Sequence, residues 1–172
     1  GHQDVPLTDL GRKQAIEAGT QIRELLGGKK LASAWSSDLI RAEETARLAL
    51  DAAGFDGDLH ISPALRERHL GQWQGHSIDA LKQSGERESL FTWQGHAPGG
   101  ESLSDISIRA TRFLQSLPQH ETTLVVAHGG IIRALVGLLD GTERSQIGKL
   151  NVVNAQPIER WIPEHRWLEL FD

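Results

Sequence analysis

The sequence predicts an α/β sandwich formed by a single domain. Short runs of strand-forming apolar residues alternate along the chain with longer segments in which apolar residues recur at helical spacing. Strands that alternate with helices form a sheet covered by those helices. The length of 172 residues also falls within the size of one compact domain.

The first part of the chain predicts two helices and two strands. Thr8 is a good N-cap for a helix that runs to Leu26 and is ended by Gly27 and Gly28. A strand is predicted over 31–36, a helix from about Asp38, and a second short strand over 59–62.

The middle of the chain, 63–101, is rich in glycine, histidine and tryptophan and contains only two short helical patches, at 77–82 and 88–93. A loop of this length within a compact domain is usually functional or disordered, and Trp73 and Trp93 argue against disorder. We therefore expect a lid over an active site, in which Trp73, Phe91 and Trp93 select the ligand by burying its surface.

The last part of the chain predicts a helix that starts with a capping box at Ser102 and Asp105. The glycine turn at 98–102, which leads into this helix, either presents backbone N–H groups to a substrate or is only a hinge and a cap. A buried strand over 122–127, a helix over 131–139 and a pair of strands over 158–170 complete the prediction. The final strands are either a solvent-facing edge or a dimer contact, so the oligomeric state is left open.

Charge and hydropathy exclude several classes of partner. The net charge of −5 and the absence of a basic stripe argue against nucleic acid and against an anionic membrane surface. No apolar run approaches the roughly 18 residues needed to span a bilayer, and no charged-then-apolar leader is visible at the start. Cytoplasmic localisation is the default expectation.

His128 stands where a strand runs through Ala127 into a glycine pair that opens a helix. A helix start offers unpaired N–H groups and the positive end of the helix dipole, so a histidine there faces an anion site, with phosphate the natural ligand. The alternative is that His128 merely ends a buried strand and bonds a nearby carbonyl.

Arg41 lies one turn into the helix that follows the strand end at Ser36 and Ser37. A guanidinium in this place can bind a phosphate through two parallel hydrogen bonds. The alternative is a surface arginine paired with Glu43 or Glu44.

Glu67 directly follows a predicted strand and is flanked by Arg66 and Arg68. Flanking cations lower the pKa of a carboxyl group, whereas removal from water under a lid raises it. Only a raised pKa suits a general acid. The alternative is an exposed loop with ion pairs of little energetic value.

Other chemistries fit the sequence less well. The absence of cysteine excludes disulfides, thiolate catalysis and cysteine-based metal sites. No esterase, zinc-protease, P-loop or dinucleotide-binding motif occurs, and the eight histidines lack paired metal-ligand spacing. We therefore predict no metal and no cofactor.

Several short motifs follow one another along nearly the whole chain. They are Asp4-Val5-Pro6-Leu7-Thr8 with Gly11 and Gln14-Ala15, Ser37-Asp38-Leu39 with Arg41-Ala42 and Thr45-Ala46, Leu65-Arg66-Glu67, Gly71-Gln72-Trp73-Gln74-Gly75, Pro98-Gly99-Gly100-Glu101-Ser102 and Ala127-His128-Gly129-Gly130. In their order and spacing they resemble the histidine phosphatase superfamily, also called phosphoglycerate mutase-like.

That resemblance implies a three-layer α/β/α fold around a mixed, mainly parallel sheet, and a two-step reaction through a phosphohistidine. By it, Arg41 binds the phosphoryl group, Glu67 donates a proton and later acts as base, and His128 stabilises the transferring phosphoryl group. The matching motifs contain the expected substrate-binding residues Arg66, Gly129, Thr8 and Ser37. These roles agree with the chemistry of charge stabilisation and proton transfer.

The chain departs from the resemblance at its start. Family members begin with a strand that ends in Arg-His-Gly, whose histidine is the nucleophile, and the sequence from Gly1 matches the loop after that strand. His2 does not replace the nucleophile for this reason. We expect the missing strand to lie beside the strand at 122–127, the 172 residues to be an N-terminally incomplete domain, and this chain alone to show no phosphatase turnover.

For the parent protein we predict a metal-independent phosphomonoesterase that acts on a small phosphorylated metabolite. A mutase is the nearest alternative, but family mutases carry a longer insertion between the acid and the second histidine than the segment from Glu67 to His128. A catalytically inactive module that binds phosphoesters is the second alternative.

Overall fold

The computed structural model describes residues 1–83 and 87–163. Its elements are α1 (Asp9–Leu26), β1 (Ser33–Ser36), α2 (Ile40–Ala53), β2 (Leu59–Ile61), two 3₁₀ turns (Pro63–Leu65 and Gly71–Trp73), α3 (Ile78–Gln83), α4 (Arg87–Leu90), α5 (Leu103–Gln115), β3 (Thr123–Val126), α6 (Gly129–Leu139) and α7 (Arg144–Ile147). Strands and helices alternate, so the predicted α/β class is confirmed.

The sheet of the described residues has three strands in the order β2-β1-β3, and both pairings are parallel. Trp35 in the middle of β1 is in register with His60 of β2 and with Val125 of β3. The pair of strands expected over 158–170 is not formed by residues 158–163, which are irregular, and the remainder of that range lies outside the described residues.

Helices cover the two faces of the sheet. Ala34 packs with Leu50 of α2 on one face, whereas the next residue, Trp35, meets the ring of Phe113 from α5 at 5.2 Å. Successive residues of a strand point to opposite faces, so α2 and α5 lie on opposite sides. The layers are therefore helix, sheet and helix, as the family resemblance implies.

The helices pack in pairs, α1 on α2 and α5 on α6. Gly19 allows the first pair to approach closely, because a Cβ at this position would collide with the backbone of Ala49. The second pair shares a core of apolar side chains that includes Ile106, Ala110 and Ile131.

Several predicted boundaries need correction. The strand expected over 31–36 begins at Ser33, the helix expected from Asp38 begins at Ile40, and the helix expected from residue 131 begins at Gly129. The later start of α2 follows from the turn before it, because the Ser37 hydroxyl accepts a hydrogen bond from the Leu39 backbone.

The strand expected to be buried over 122–127 is shorter and half-buried along its whole length, Thr123–Val126. Within the described residues β3 pairs along one edge only, with β1. None of the helices in the described part of the chain combines the length and apolar character of a membrane span.

Candidate functional site

The carboxyl ends of the three parallel strands lie side by side, and the candidate residues follow these ends. Hydrogen bonds from Ser37 N to Val126 O (3.1 Å) and from Ser62 N to Ser36 O (2.8 Å) extend the pairing past the strands. Ligands of α/β proteins bind at these ends, because the loops that leave parallel strands gather there.

His128 is the N-cap residue of α6 and is 8% exposed. Its Nε2 atom is buried and has no hydrogen-bond partner within residues 1–83 and 87–163. Burial, and next the positive charge of Arg41, lower the pKa of His128 to about 4 despite the opposing charge of Glu67. The ring is therefore neutral at pH 7, and the interpretation that it bonds a nearby carbonyl fails at Nε2.

The Glu67 carboxylate lies on the first turn of α6. Oε2 accepts a hydrogen bond from Gly130 N (3.0 Å), and Oε1 accepts one from Arg68 N (2.8 Å). Burial raises the pKa of Glu67, but these two N–H donors and the nearby His128 outweigh burial and lower it overall. Of the two opposing effects expected from the sequence, the lowering one prevails, and the group is ionised in the unliganded protein.

Arg41 turns away from the two carboxylates considered as its partners. Glu43 binds Arg47 (2.7 Å) and Glu44 binds Arg12 (2.6 Å), so the surface-pair alternative is wrong. The guanidinium of Arg41 donates to Gln3 O (2.8 Å) and Gly1 O (2.9 Å). The positive charge of Arg41 helps to lower the pKa of His128, and the charge of Glu67 opposes this effect.

The four expected substrate-binding residues occupy different environments. Arg66 forms a two-pronged ion pair with Asp38 at 2.6 to 3.0 Å. The hydroxyl of Thr8 caps α1 by accepting from Gly11 N, and the buried Ser37 hydroxyl accepts from Leu39 N. Gly129 lies beside His128, and a Cβ there would meet no atom within 4 Å.

Sequence reasoning missed two residues beneath Glu67. His2 Nε2 lies 2.5 Å from the carbonyl oxygen of Glu67, and its ring meets the edge of His69 at 4.9 Å. Arg109 of α5 donates to the same carbonyl oxygen (3.1 Å). One signal for Arg109 was present, since this arginine interrupts the apolar stripe of α5 next to Ala110.

The aromatic residues of the lid pack differently from the expectation that they line a ligand site. Trp73 is 8% exposed and packs against Leu90 and Ala97 in a core of the lid's own. Trp93 packs on the core between α5 and α6, with the guanidinium of Arg144 over its ring at 5.8 Å. Both tryptophans hold the lid in place.

Comparison with known proteins follows the same motifs. The family model of the histidine phosphatase superfamily (branch 1) matches residues 1–167. Among curated relatives, the 2,3-bisphosphoglycerate-dependent phosphoglycerate mutase 2 of Gloeobacter violaceus is 36% identical over 169 residues, which cover 92% of this chain and 75% of that protein. The corresponding mutase of Rhizobium meliloti is 35% identical over 168 residues, with 92% and 79% covered.

Solved structures show the same relationship. A mycobacterial glucosyl-3-phosphoglycerate phosphatase superimposes with a TM-score of 0.71 at 30% identity, covering 88% of this chain and 75% of that one. Its complex with inorganic phosphate gives a TM-score of 0.69 at 31% identity, with 88% and 77% covered. By the family match and by these relatives, the chain belongs to the histidine phosphatase superfamily, branch 1.

Proposed function

We propose that this chain forms one domain and carries the acid, the phosphate-binding arginine and the second histidine of a metal-independent phosphomonoesterase. Its substrate is a small phosphorylated metabolite. One observation carries the proposal: a buried, neutral His128 with a partnerless Nε2, in the described part of the chain, lies beside a carboxylate held on the first turn of α6.

The phosphoryl group binds between Arg41 and the start of α6. A guanidinium has five N–H donors, and Arg41 uses two of them on the backbone of Gly1 and Gln3. At the helix start, Nε2 of His128 has no partner among the described residues, and a Cβ at Gly129 would meet no atom within 4 Å. Cations and fixed N–H donors stabilise the negative charge that spreads over a phosphoryl group during transfer.

Glu67 donates the proton that the leaving oxygen needs. In the unliganded protein its pKa is lowered, chiefly because two backbone N–H groups offset burial. A bound phosphoester brings negative charge against this carboxylate, which raises its pKa and favours the protonated form. Protonated Glu67 then gives its proton to the leaving oxygen as the P–O bond breaks.

The nucleophile in this proposal is a histidine of an Arg-His-Gly strand that precedes Gly1. Its ring nitrogen attacks phosphorus, the P–O bond to the leaving group breaks, and the leaving oxygen takes the proton of Glu67. In the second step water attacks the phosphohistidine, Glu67 accepts a proton from that water, and inorganic phosphate and the free histidine are released.

Phosphoryl transfer between two positions of one metabolite is the second candidate function. The curated relatives named phosphoglycerate mutase favour it. The phosphatase among the solved structures, and the short segment between Glu67 and His128, favour hydrolysis.

The test compares two proteins, the 172-residue chain and an extended form in which an Arg-His-Gly strand precedes Gly1. Both are incubated with p-nitrophenyl phosphate and with a panel of phosphorylated metabolites that includes phosphoglycerates. Released inorganic phosphate measures hydrolysis, and ³¹P NMR measures transfer between positions. We expect the extended form to release phosphate and the shorter chain to release none.

Three results contradict the proposal in different ways. Transfer without release of phosphate identifies a mutase. Binding of phosphoesters by the extended form without any reaction identifies an inactive binding module. Turnover by the shorter chain that is lost in His128→Ala shows that no preceding strand is needed.

A further inference from the structure

An ion pair between Glu101 and Arg109 lies beneath the loop that carries Glu67. Arg109 Nε donates to Glu101 Oε1 (2.8 Å) and Nη2 donates to Glu101 Oε2 (2.9 Å), so the pair is two-pronged. Both side chains are about three-quarters buried, with 24% and 26% of their surfaces exposed. The family motifs quoted above contain Glu101 but assign Arg109 no role.

The same two side chains form hydrogen bonds with three backbone groups of the loop. Arg109 Nη1 donates to Ala64 O (2.8 Å) and Nη2 donates to Glu67 O (3.1 Å). Glu101 Oε2 accepts from His69 N (2.8 Å). The loop is therefore fixed before, at and after Glu67 by one pair of side chains.

Glu67 is thus held at both of its ends. Its main chain is bound to Arg109 of α5, and its carboxylate is bound to Gly130 of α6. Because α5 and α6 share one apolar core that contains Ile106 and Ile131, the two anchoring points belong to one rigid pair of helices.

We propose that Arg109, paired with Glu101, is a positioning residue that places the Glu67 carboxylate against the first turn of α6. The inference rests on the proposed function for its consequence in catalysis. It does not rest on it for the geometry, so the two can fail separately.

The chemistry of arginine explains why this residue occupies the position. Reaching two carbonyls and a carboxylate from one side chain needs the flat, forked guanidinium, and the ammonium of lysine offers only a point charge. A largely buried ion pair of this kind often contributes little net stability, because removing two charges from water costs about as much as their attraction returns. The position of this pair against the backbone of Glu67 is therefore better explained by placement of that residue than by stability.

The test uses the 172-residue chain and needs no turnover. The protein is labelled with ¹³C at glutamate side-chain carboxyls, and the titration of Glu67 is followed by NMR in wild type, Arg109→Lys and Arg112→Lys. Arg112 lies on the same helix and is exposed, so it is the matched control. We expect the pKa of Glu67 to rise in Arg109→Lys alone, because the carboxylate leaves the N–H groups of Gly130 and Arg68.

A merely structural role predicts a different result. If Arg109→Lys lowers the melting temperature while Glu67 titrates as in wild type, the proposal is wrong. Should Arg109→Lys not fold, Glu101→Gln decides, since it removes the charge that orients Arg109; an unchanged titration of Glu67 in that variant overturns the proposal.

In the extended form, the kinetics of Arg109→Lys separate an effect on the placement of Glu67 from an effect on substrate binding. We expect kcat of Arg109→Lys to fall about 10- to 100-fold, the usual effect of a displacement of about 1 Å, with KM changed little. Absence of turnover in the extended wild type contradicts the proposed function, and the NMR titration still decides the role of Arg109.

Discussion

Helices α5 and α6 share one core, yet the free N–H groups at their N-termini find hydrogen-bond partners in opposite ways. At α5 the Ser102 hydroxyl accepts from Asp105 N (3.1 Å) and the Asp105 carboxylate accepts from Ser102 N (2.9 Å). At α6 the N-cap residue His128 makes no capping bond, and Gly130 N is bound by Glu67, 63 residues away.

The difference separates a structural helix start from a functional one. A capping box satisfies two of the free N–H groups with neighbours in sequence, so the partners at this helix start are local. The start of α6 takes its partner from a distant loop and keeps Gly129 open and Nε2 of His128 without a partner among the described residues.

His128→Ala removes the side chain that the start of α6 leaves free. In the extended form we expect kcat to fall about 100- to 1,000-fold, as on loss of one donor to a developing negative charge. The free energy of unfolding should change by less than the free-energy equivalent of that loss in kcat. The reason is that the Nε2 atom makes no protein hydrogen bond to lose within the described residues. Phosphate release and urea unfolding measure the two effects. A variant with unchanged kcat contradicts the role of His128.

Gly130→Ala places a Cβ against the Glu67 carboxylate, which has to move away. We expect kcat of the extended form to fall about 100-fold, since a carboxylate displaced by about 1 Å no longer meets the leaving oxygen. Gly129→Ala serves as the stability control: its Cβ meets nothing within 4 Å, and alanine should stabilise this helical position by up to about 1 kcal/mol. Equal stability changes in both variants would show that Glu67 does not occupy this turn.

Lowering the pH should destabilise the fold through His128. The pKa of His128 is lowered from 6.5 to about 4, chiefly by burial, so between these values the unfolded chain binds a proton that the native protein does not. Stability is therefore complete above pH 6.5 and falls as the pH drops toward 4. We expect a loss on the order of 1–3 kcal/mol across this window.

Urea unfolding at about pH 7 and about pH 5 measures this loss in wild type, in His128→Gln and in His76→Gln, an exposed control. The pH dependence should shrink only in His128→Gln. Below this window Glu67 adds to the loss, because its pKa is also lowered in the native state and its contribution disappears as the carboxylate is protonated. Equal pH dependence in all three proteins contradicts the burial of a neutral His128.

Ser102→Ala removes the hydroxyl that caps α5 and therefore tests the helix start that has a capping box. We expect a loss of about 1 kcal/mol in the free energy of unfolding, the usual cost of removing an N-cap hydroxyl. Since Ser102 caps a helix and belongs to no part of the proposed machinery, kcat of the extended form should stay at the wild-type value. A loss of kcat with unchanged stability reverses the assignment of the two helix starts.

Local signals made much of the fold predictable. The end of α1 at Gly27, which adopts the left-handed conformation with φ of 55°, and the capping box of α5 follow from neighbours within a few residues. Periodicity also located β1, α2 and β3 to within a few residues of their observed bounds. The half-burial of β3 was not predicted, because the exposure of its side chains depends on which distant segments pack against them, and no local pattern encodes that.

The candidate site was predictable in its members and not in its arrangement. The motifs identified Arg41, Glu67 and His128, but the sequence left the direction of the Glu67 pKa open between two opposing causes. The decisive donors are the backbone N–H groups of Arg68 and Gly130, whose positions depend on where the loop meets the helix.

Capping, periodicity and residue type act over short distances, so the sequence alone located the long helices and the three strands of the described sheet and supplied the side chains for phosphate chemistry. It did not indicate α7 or the irregular backbone over 158–163. Only the tertiary structure decided that Gly130 N of α6 donates to Glu67 and that Arg66 pairs with Asp38. It likewise decided that Arg109 donates to the carbonyl oxygen of Glu67. The physical reason is that burial, charge and hydrogen-bond partners are set by groups far apart in the chain, and only packing brings those groups together.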